Sequence, residues 1–495
     1  MKKASLSKNY LYNLIYQVLA VIIPIILIPY LSRVLEPSGN GQYAFTYSIT
    51  TYFSYFALLG VQLYGTKMIS INQDDPYRLK KTFWEILALK GMTSAIAIVL
   101  FYGVLQFILP NPLFLIQGIW LFANLIDVTW YYTGSERFKS IVIRNSLIKL
   151  LSLAAILIFV KTINDVWIYA IILGGAELTG QLILWFSMRK EAVLKNIGEI
   201  KKDFNPYQHL KGTLVLFLPQ VIILLYTSLN VTMIGAMTND VQTGYYDQTS
   251  KIINTLCVIA TSLATVMIPR ISKLNEDGQS IEIENMLNKS IGITTYLAYP
   301  MMVGLFLVAP IFVPLFLGDL YIDAIPVLKL YAIKIGLVVF SNIIGVQYMI
   351  PTNKNKAFIL SVSAGAVITL GLNLFLIPLY GALGAVIVSL IAELLVVAYQ
   401  IWLVRKDMPF IKFIARTYKG LIASVVMAIY IIFAGNVVYL GTGMIVESFI
   451  QNQTIVTGLA LAMLIGTSMI VYFVTNLILR TEIQTEILRK IFKRA

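Results

Sequence analysis

Residues 10–31, YLYNLIYQVLAVIIPIILIPYL, and residues 43–63, YAFTYSITTYFSYFALLGVQL, flank the short stretch Glu36-Pro37-Ser38-Gly39-Asn40-Gly41. Each run has the roughly 20 apolar residues that a helix needs to cross the hydrocarbon core of a bilayer. Pro24 and Pro29 keep the first run from being a straight helix throughout. The stretch between the runs reads as a hairpin turn. Arg33 stands at the border of the first run, and Lys67 follows the second. Two spans, a turn and cations at the borders set the pattern for the whole chain.

The chain has 495 residues, 58% of them hydrophobic and only 13% charged. Soluble proteins carry roughly 25% charged residues, and the mean hydropathy here is +0.80. An integral membrane protein follows. Segments of spanning length occur at 10–31, 43–63, 84–108, 113–133, 142–160, 166–187, 212–236, 244–268, 290–310, 324–349, 357–377, 381–403, 420–440 and 454–478. These runs exceed the 9–11 residues of a barrel strand, so the expectation is an all-α polytopic protein with about 14 transmembrane helices. No small-x-small cleavage site follows the first apolar run, which reads as an uncleaved span.

Of the 38 lysines and arginines, 32 fall in segments 1–9, 65–83, 134–149, 188–211, 270–289, 350–356, 404–419 and 480–495. These segments alternate along the chain and would share one side. The positive-inside rule makes that side the cytoplasm, with both termini on it. Basic loops facing anionic lipid account for the net charge of +14 without a nucleic-acid partner. No loop holds a soluble domain. There is no P-loop, no G-x-S-x-G and no metal-spaced Cys/His set, so no enzyme and no cofactor is expected. Cys257 is the only cysteine and reads as a packing residue. His209, the only histidine, sits in a basic loop, which argues against histidine proton relays and histidine metal sites.

The chain also repeats itself. Gly41-Gln42-Tyr43 aligns with Gly244-Tyr245-Tyr246 at an offset of 203, which also places Lys67 on Arg270. Ala176-Glu177-Leu178 aligns with Ala392-Glu393-Leu394 at 216. Two six-helix halves, residues 1–205 and 206–410, then leave residues 411–495 as two extra helices and a basic cytoplasmic tail. Both halves run from inside to inside, so the repeat is parallel. Transporters of this build hold substrate between the halves and rock one against the other.

An ionisable residue within a span is costly and usually faces a bundle interior or an aqueous cavity. Lys251 lies about 10 Å into the eighth span at 1.5 Å per residue. It reads either as a cation for an anionic head group or as the structural partner of Asp247, four residues earlier. Arg33 is an interface anchor or a cavity cation. Lys67 and Arg270 are border residues or substrate contacts. Glu177, Glu393 and Asp127 form a protonatable or cation-binding site, or else bond neighbouring helices; Asp247 joins them as a candidate for a coupling ion. Lys90 and Lys149 read as snorkelling to the inner border.

In this order, Pro29-Tyr30-Leu31-Ser32-Arg33-Val34-Leu35, Asp127-x-x-Trp130, Gly134-x-Glu136-x-Phe138-Lys139, Pro219-Gln220, Pro269-Arg270-Ile271-Ser272, Gln347-Tyr348 and Gly381-Ala382-x-Gly384-Ala385 make the chain resemble a known family. It is similar to the polysaccharide repeat-unit flippases of the multidrug/oligosaccharidyl-lipid/polysaccharide exporter superfamily. The resemblance implies a V-shaped arrangement, like that of the multidrug exporters, of two six-helix lobes plus two C-terminal helices. It also implies alternating access that carries undecaprenyl-diphosphate-linked oligosaccharide from the inner to the outer leaflet of the bacterial plasma membrane, for capsular or exo-polysaccharide synthesis. Membrane lipids and polysaccharide polymerase or assembly proteins are the implied partners. Arg33, Lys67, Lys251 and Arg270 take the cationic role by position. A Na+ gradient, a H+ gradient or the membrane potential would drive the cycle. Asn230-Val231 stands where many members carry an acid–base pair, which puts a charge relay through that helix in doubt. The rivals are a lipid II flippase, a cation-coupled multidrug exporter of the same fold, and a non-transporting scaffold.

Overall fold

The computed structural model describes residues 19, 22–105, 108–189, 191–195, 197–447 and 452–485. All regular structure in them is helical. Inside hydrocarbon every backbone N–H and C=O has to be paired within its own segment, and the helix does this. The first expected span, 10–31, lies in large part outside the described residues.

The chain divides into two compact units, residues 1–244 and 245–495. The first contains α1 (Ile22–Val34), α2 (Glu36–Leu58), α3 (Val61–Asn72), α4 (Pro76–Leu100), α5 (Pro112–Gly134), α6 (Phe138–Phe159), α7 (Val166–Met188) and α8 (Leu210–Met237). α9 (Asp240–Thr261) starts in the first unit and continues into the second. There it is followed by α10 (Ala264–Glu276), α11 (Ser280–Leu317), α12 (Ile325–Ser341), α13 (Asn355–Val404), α14 (Phe410–Arg416), α15 (Tyr418–Phe433), α16 (Gly435–Glu447) and α17 (Gln453–Ile478).

Among the described residues ten helices are long and apolar enough to cross a membrane, or twelve if two bent pairs each count as one span. The expected fourteen differ from this for physical reasons. α13 is 50 residues long and covers two of the expected segments. Straight, it would measure about 75 Å, more than twice the hydrocarbon core. It is not straight. Gly381 breaks it at φ 56°, ψ −131°, a conformation that needs glycine. A β-carbon on Gly384 would lie 2.1 Å from the Leu376 carbonyl oxygen. The Gln400 amide donates to Ser361 Oγ at 3.2 Å. Residues so far apart in sequence meet only if the chain doubles back, so α13 is two antiparallel helices hinged at Gly381. At the other end of the chain, α1 and residues 36–72 are bent by 116°.

The stretch 36–41 is not the hairpin turn that the sequence suggests. The reversal is confined to Leu35 and Glu36, whose φ is 56°, and α2 begins at once. Pro37 fits the first helical turn, where no N–H partner is needed. The Asn40 amide donates to the carbonyls of Leu31 and Glu36, both at 2.8 Å, and so ties α1 to α2. Gly39 and Gly41 are therefore helical. Gly41 is a glycine for another reason: a β-carbon there would sit 1.7 Å from the Asp240 carbonyl oxygen. A β-carbon on Gly244 would sit 1.9 Å from the Pro37 carbonyl oxygen. Asp240 is Pro37 shifted by 203 positions, and Gly244 is Gly41 shifted by the same number. The contact is reciprocal: each glycine admits the backbone that its counterpart's helix presents.

The core of the first unit is aromatic. Phe83 of α4 stacks on Trp130 of α5 with ring centroids 5.4 Å apart. Gly65 of α3 lets that indole approach so closely that a β-carbon would be 2.7 Å from it. α4 begins eight residues before the expected 84, because Asp75 caps it by accepting the N–H groups of Tyr77 and Arg78, and Pro76 opens its first turn. In the second unit the fully buried Tyr331, Ala332 and Ile335 of α12 and Ala385, Val388 and Ala392 of α13 make the equivalent core.

The glycine contact is testable. Gly41→Ala and Gly244→Ala each force a β-carbon into a carbonyl oxygen, so each should destabilise the protein by about 1–3 kcal/mol, the usual range for overpacking. Gly91→Ala, at a helical glycine with open space around it, should leave thermal unfolding in detergent unchanged. Equal unfolding temperatures for Gly41→Ala and Gly91→Ala would refute the assignment.

Candidate functional site: charged side chains within the helical units

The four predicted cations divide between the units. Arg33 and Lys67 belong to the first; both are exposed, and Arg33 Nη1 donates to the Pro29 carbonyl at 3.0 Å. Lys251 and Arg270 belong to the second. Arg270 is exposed on α10. Lys251 is half-buried on α9 and forms an ion pair with Asp247 at 2.6 Å, one helical turn away. The pairing that the sequence offered as one of two readings of Lys251 is therefore present. Its side chain still keeps 37% of its surface accessible, against 14% for Asp247.

The four acids have different partners. Asp127, 3% exposed, accepts from the Gln62 amide and from the Thr129 N–H at 3.0 Å. Glu177 accepts from the Gln181 amide at 2.9 Å. Glu393, 3% exposed, accepts from the Ser341 hydroxyl, and Asp247 holds Lys251. Among the described residues no three His, Cys, Asp or Glu side chains converge as a metal site.

Two features depart from expectation. Lys90 does not snorkel. It is completely buried and donates from Nζ to the main-chain oxygen of Asp127, which also accepts Trp130 Nε1 at 3.2 Å. The early start of α4 explains this: Lys90 lies about 21 Å from Pro76 along the helix axis, too deep to reach a border. Nor is His209 a solvated loop residue; it is 4% exposed. One ring nitrogen meets Glu85 Oε2 at 3.1 Å and the other meets the Tyr64 hydroxyl at 2.9 Å. Glu85, 1% exposed, also accepts from the Asn205 N–H at 2.8 Å and the Gln208 amide at 2.7 Å. Glu85 and Tyr64 thus engage both ring nitrogens. The linker is held further by Lys80 to Glu199 at 2.7 Å and by Trp84 Nε1 to the Val193 carbonyl at 2.8 Å. The basic composition of 188–211 conceals this docking. The only hint was Glu85, an acid at the start of an apolar run.

The buried charge of Lys90 sits beside that of Asp127. Lys90→Met should destabilise the protein by about 3–5 kcal/mol, because it removes the buried cation whose charge offsets that of Asp127. Adding Asp127→Asn should recover part of the loss. If the single and double variants unfold at the same temperature, the two charges are not coupled.

Comparison with known proteins agrees with this picture. The chain is 26% identical over 417 residues to a protein of Escherichia coli (strain K12) provisionally named an O-antigen transporter, covering 82% of this chain and 98% of the relative. A protein of Shigella dysenteriae with the same provisional name is 23% identical over 392 residues, covering 76% and 94%. In fold, the chain is similar to the lipid II flippase MurJ in an inward closed conformation, with a TM-score of 0.72, 15% identity and coverage of 96% and 99%. It is similar too to an inward-facing multidrug resistance MATE family transporter of the MOP superfamily, with a TM-score of 0.60, 14% identity and coverage of 79% and 95%. The helical fold expected from the resemblance is thus present. The family model described as polysaccharide biosynthesis protein matches residues 6–275, more than half of the sequence, and the chain belongs to that family.

Proposed function

We propose that the protein is a flippase that carries undecaprenyl-diphosphate-linked oligosaccharide repeat units from the inner to the outer leaflet of a bacterial plasma membrane by alternating access, for polysaccharide biosynthesis. The observation that carries the proposal is Lys251. It lies about 16 Å along α9 from Asp240, in a helix that reaches spanning length and hydropathy together with α10, with its side chain 37% accessible and paired with Asp247 at 2.6 Å. A lysine at such depth costs about 2.5–3.5 kcal/mol on insertion scales, and an anionic ligand would offset that cost. A diphosphate cannot cross hydrocarbon alone. Cations replace its hydration while the polyprenyl chain stays in lipid.

Arg33, Lys67 and Arg270, all exposed, are the other cations assigned to the head group. Asp127 and Glu393 are the better candidates for a coupling proton, since both are 3% exposed and protonation would remove a buried charge. The basic segments support a cytoplasmic position for both termini. The O-antigen transporter relatives favour a polysaccharide repeat unit over lipid II as cargo, and polysaccharide polymerases are the corresponding partners.

In a strain lacking its own repeat-unit flippase, Lys251→Ala should abolish surface polysaccharide while the protein remains in the membrane at normal level. Lys251→Arg should retain a measurable fraction. Normal export by well-expressed Lys251→Ala would remove this residue from the mechanism. Reconstitution with an undecaprenyl-diphosphate oligosaccharide and with lipid II, scored for head-group exposure on each side, decides the cargo.

A further inference from the structure

A cavity of about 540 Å³ lies in the second unit where the start of α15 meets α11 and the residues that follow α17. It is separate from the four cations assigned above. Its wall carries three cations, Lys289, Arg416 and Lys419, against one acid, Glu482. Among the described residues, Arg416, Lys419 and Glu482 form no ion pair. Two further lining residues point to a ligand. Asn476 is completely buried; its Nδ2 donates to the Tyr472 carbonyl at 2.9 Å, and its Oδ1 has no partner. Thr481 is 8% exposed, and its Oγ1 has no partner either. Buried polar atoms are nearly always paired, so two unpaired ones in one cationic cavity mark the place of a missing polar group.

The chemistry of the lining defines that group. Three cations select a phosphate. The fixed Asn476 amide presents an acceptor, not a donor, and Glu482 adds another. They call for a hydroxyl or ammonium on the same molecule. The outer face of α15 is apolar and exposed at Leu421, Val425 and Ile429, so the approach to the cavity runs along a lipid-facing surface. The basic segments 270–289, 404–419 and 480–485 contribute its wall, which is the side expected to face the inner leaflet.

We propose that this cavity binds a phosphodiester bearing a hydroxyl or ammonium donor, the headgroup of a resident phospholipid. The phosphate lies among Lys289, Arg416 and Lys419. The donor reaches Asn476 Oδ1, Thr481 Oγ1 and Glu482. The inference does not rest on the transport reading; a protein that flips nothing would still hold this lipid.

The test uses the full chain, stripped of lipid in detergent and resupplied with phosphatidylglycerol, phosphatidylethanolamine or phosphatidylcholine, with retained lipid read by native mass spectrometry. The first two should be retained about tenfold better than phosphatidylcholine, which has the phosphate but no donor. Arg416→Gln with Lys419→Gln should lower phosphatidylglycerol retention about tenfold. Arg405→Gln with Lys406→Gln removes the same charge from exposed positions outside the cavity and should change nothing. Thr481→Val keeps the shape and should narrow the preference over phosphatidylcholine. Displacement of phosphatidylglycerol by inorganic phosphate would support the site with free phosphate as a second source, and resistance to it would support the lipid headgroup. Equal retention by wild type and the Arg416/Lys419 variant, or equal loss in the control pair, overturns the proposal. Unfolding temperatures of the lipid-free variants, matched to wild type, exclude misfolding as the cause.

Discussion

A carbonyl oxygen occupies the space where a β-carbon of residue 41 would be, and the same holds for residue 244. Much of the first unit is referred to this contact. It sets how close the start of α2 comes to the start of α9. α2 in turn begins where α1 turns away, and Asn40 ties the two by bonding the Leu31 carbonyl of α1 and the Glu36 carbonyl of α2. Without a methyl group at either position the backbones meet directly, and the geometry is fixed by main-chain atoms that substitution elsewhere cannot easily move. The reciprocity at an offset of 203 gives physical content to a repeat that is faint as letters.

Around that frame the polar side chains fall into two kinds. Some are spent on internal order: Lys90 beside Asp127, and Glu85 with His209 and Tyr64, all enclosed by the first unit. These networks are deep, and their donors and acceptors are largely matched. Others stay accessible: Arg33, Lys67 and Arg270 are exposed, and Lys251 is only partly covered by Asp247. An apolar bundle that hides a lysine completely at position 90 has the means to hide others.

The helical character and the location of nearly every apolar segment were legible in the sequence, because hydrocarbon permits few alternatives to a long apolar helix. The Asp247–Lys251 pair was legible because four residues make one turn. Lys90 was misjudged because its depth depends on where α4 begins, and that is set by Asp75 and Pro76, outside the apolar run. The burial of His209 was not legible because its partner Glu85 lies more than a hundred residues away. Glycines 39 and 41 suggested a turn. Gly41 serves close approach to the Asp240 backbone, and Gly39 makes room for the Val166 side chain. α13 joins two of the expected segments at the Gly381 hinge without a loop between them.

That hinge bears on how the chain enters a membrane. Pro378, Leu379, Tyr380 and Gly381 form the tip of α13, and none carries a charge; Leu379 and Tyr380 are exposed there at 73% and 57%. Such a tip can pass through hydrocarbon without dragging a hydrated loop behind it. The two arms are therefore suited to insertion as one preassembled hairpin during biosynthesis, rather than as successive spans with a translocated segment between them.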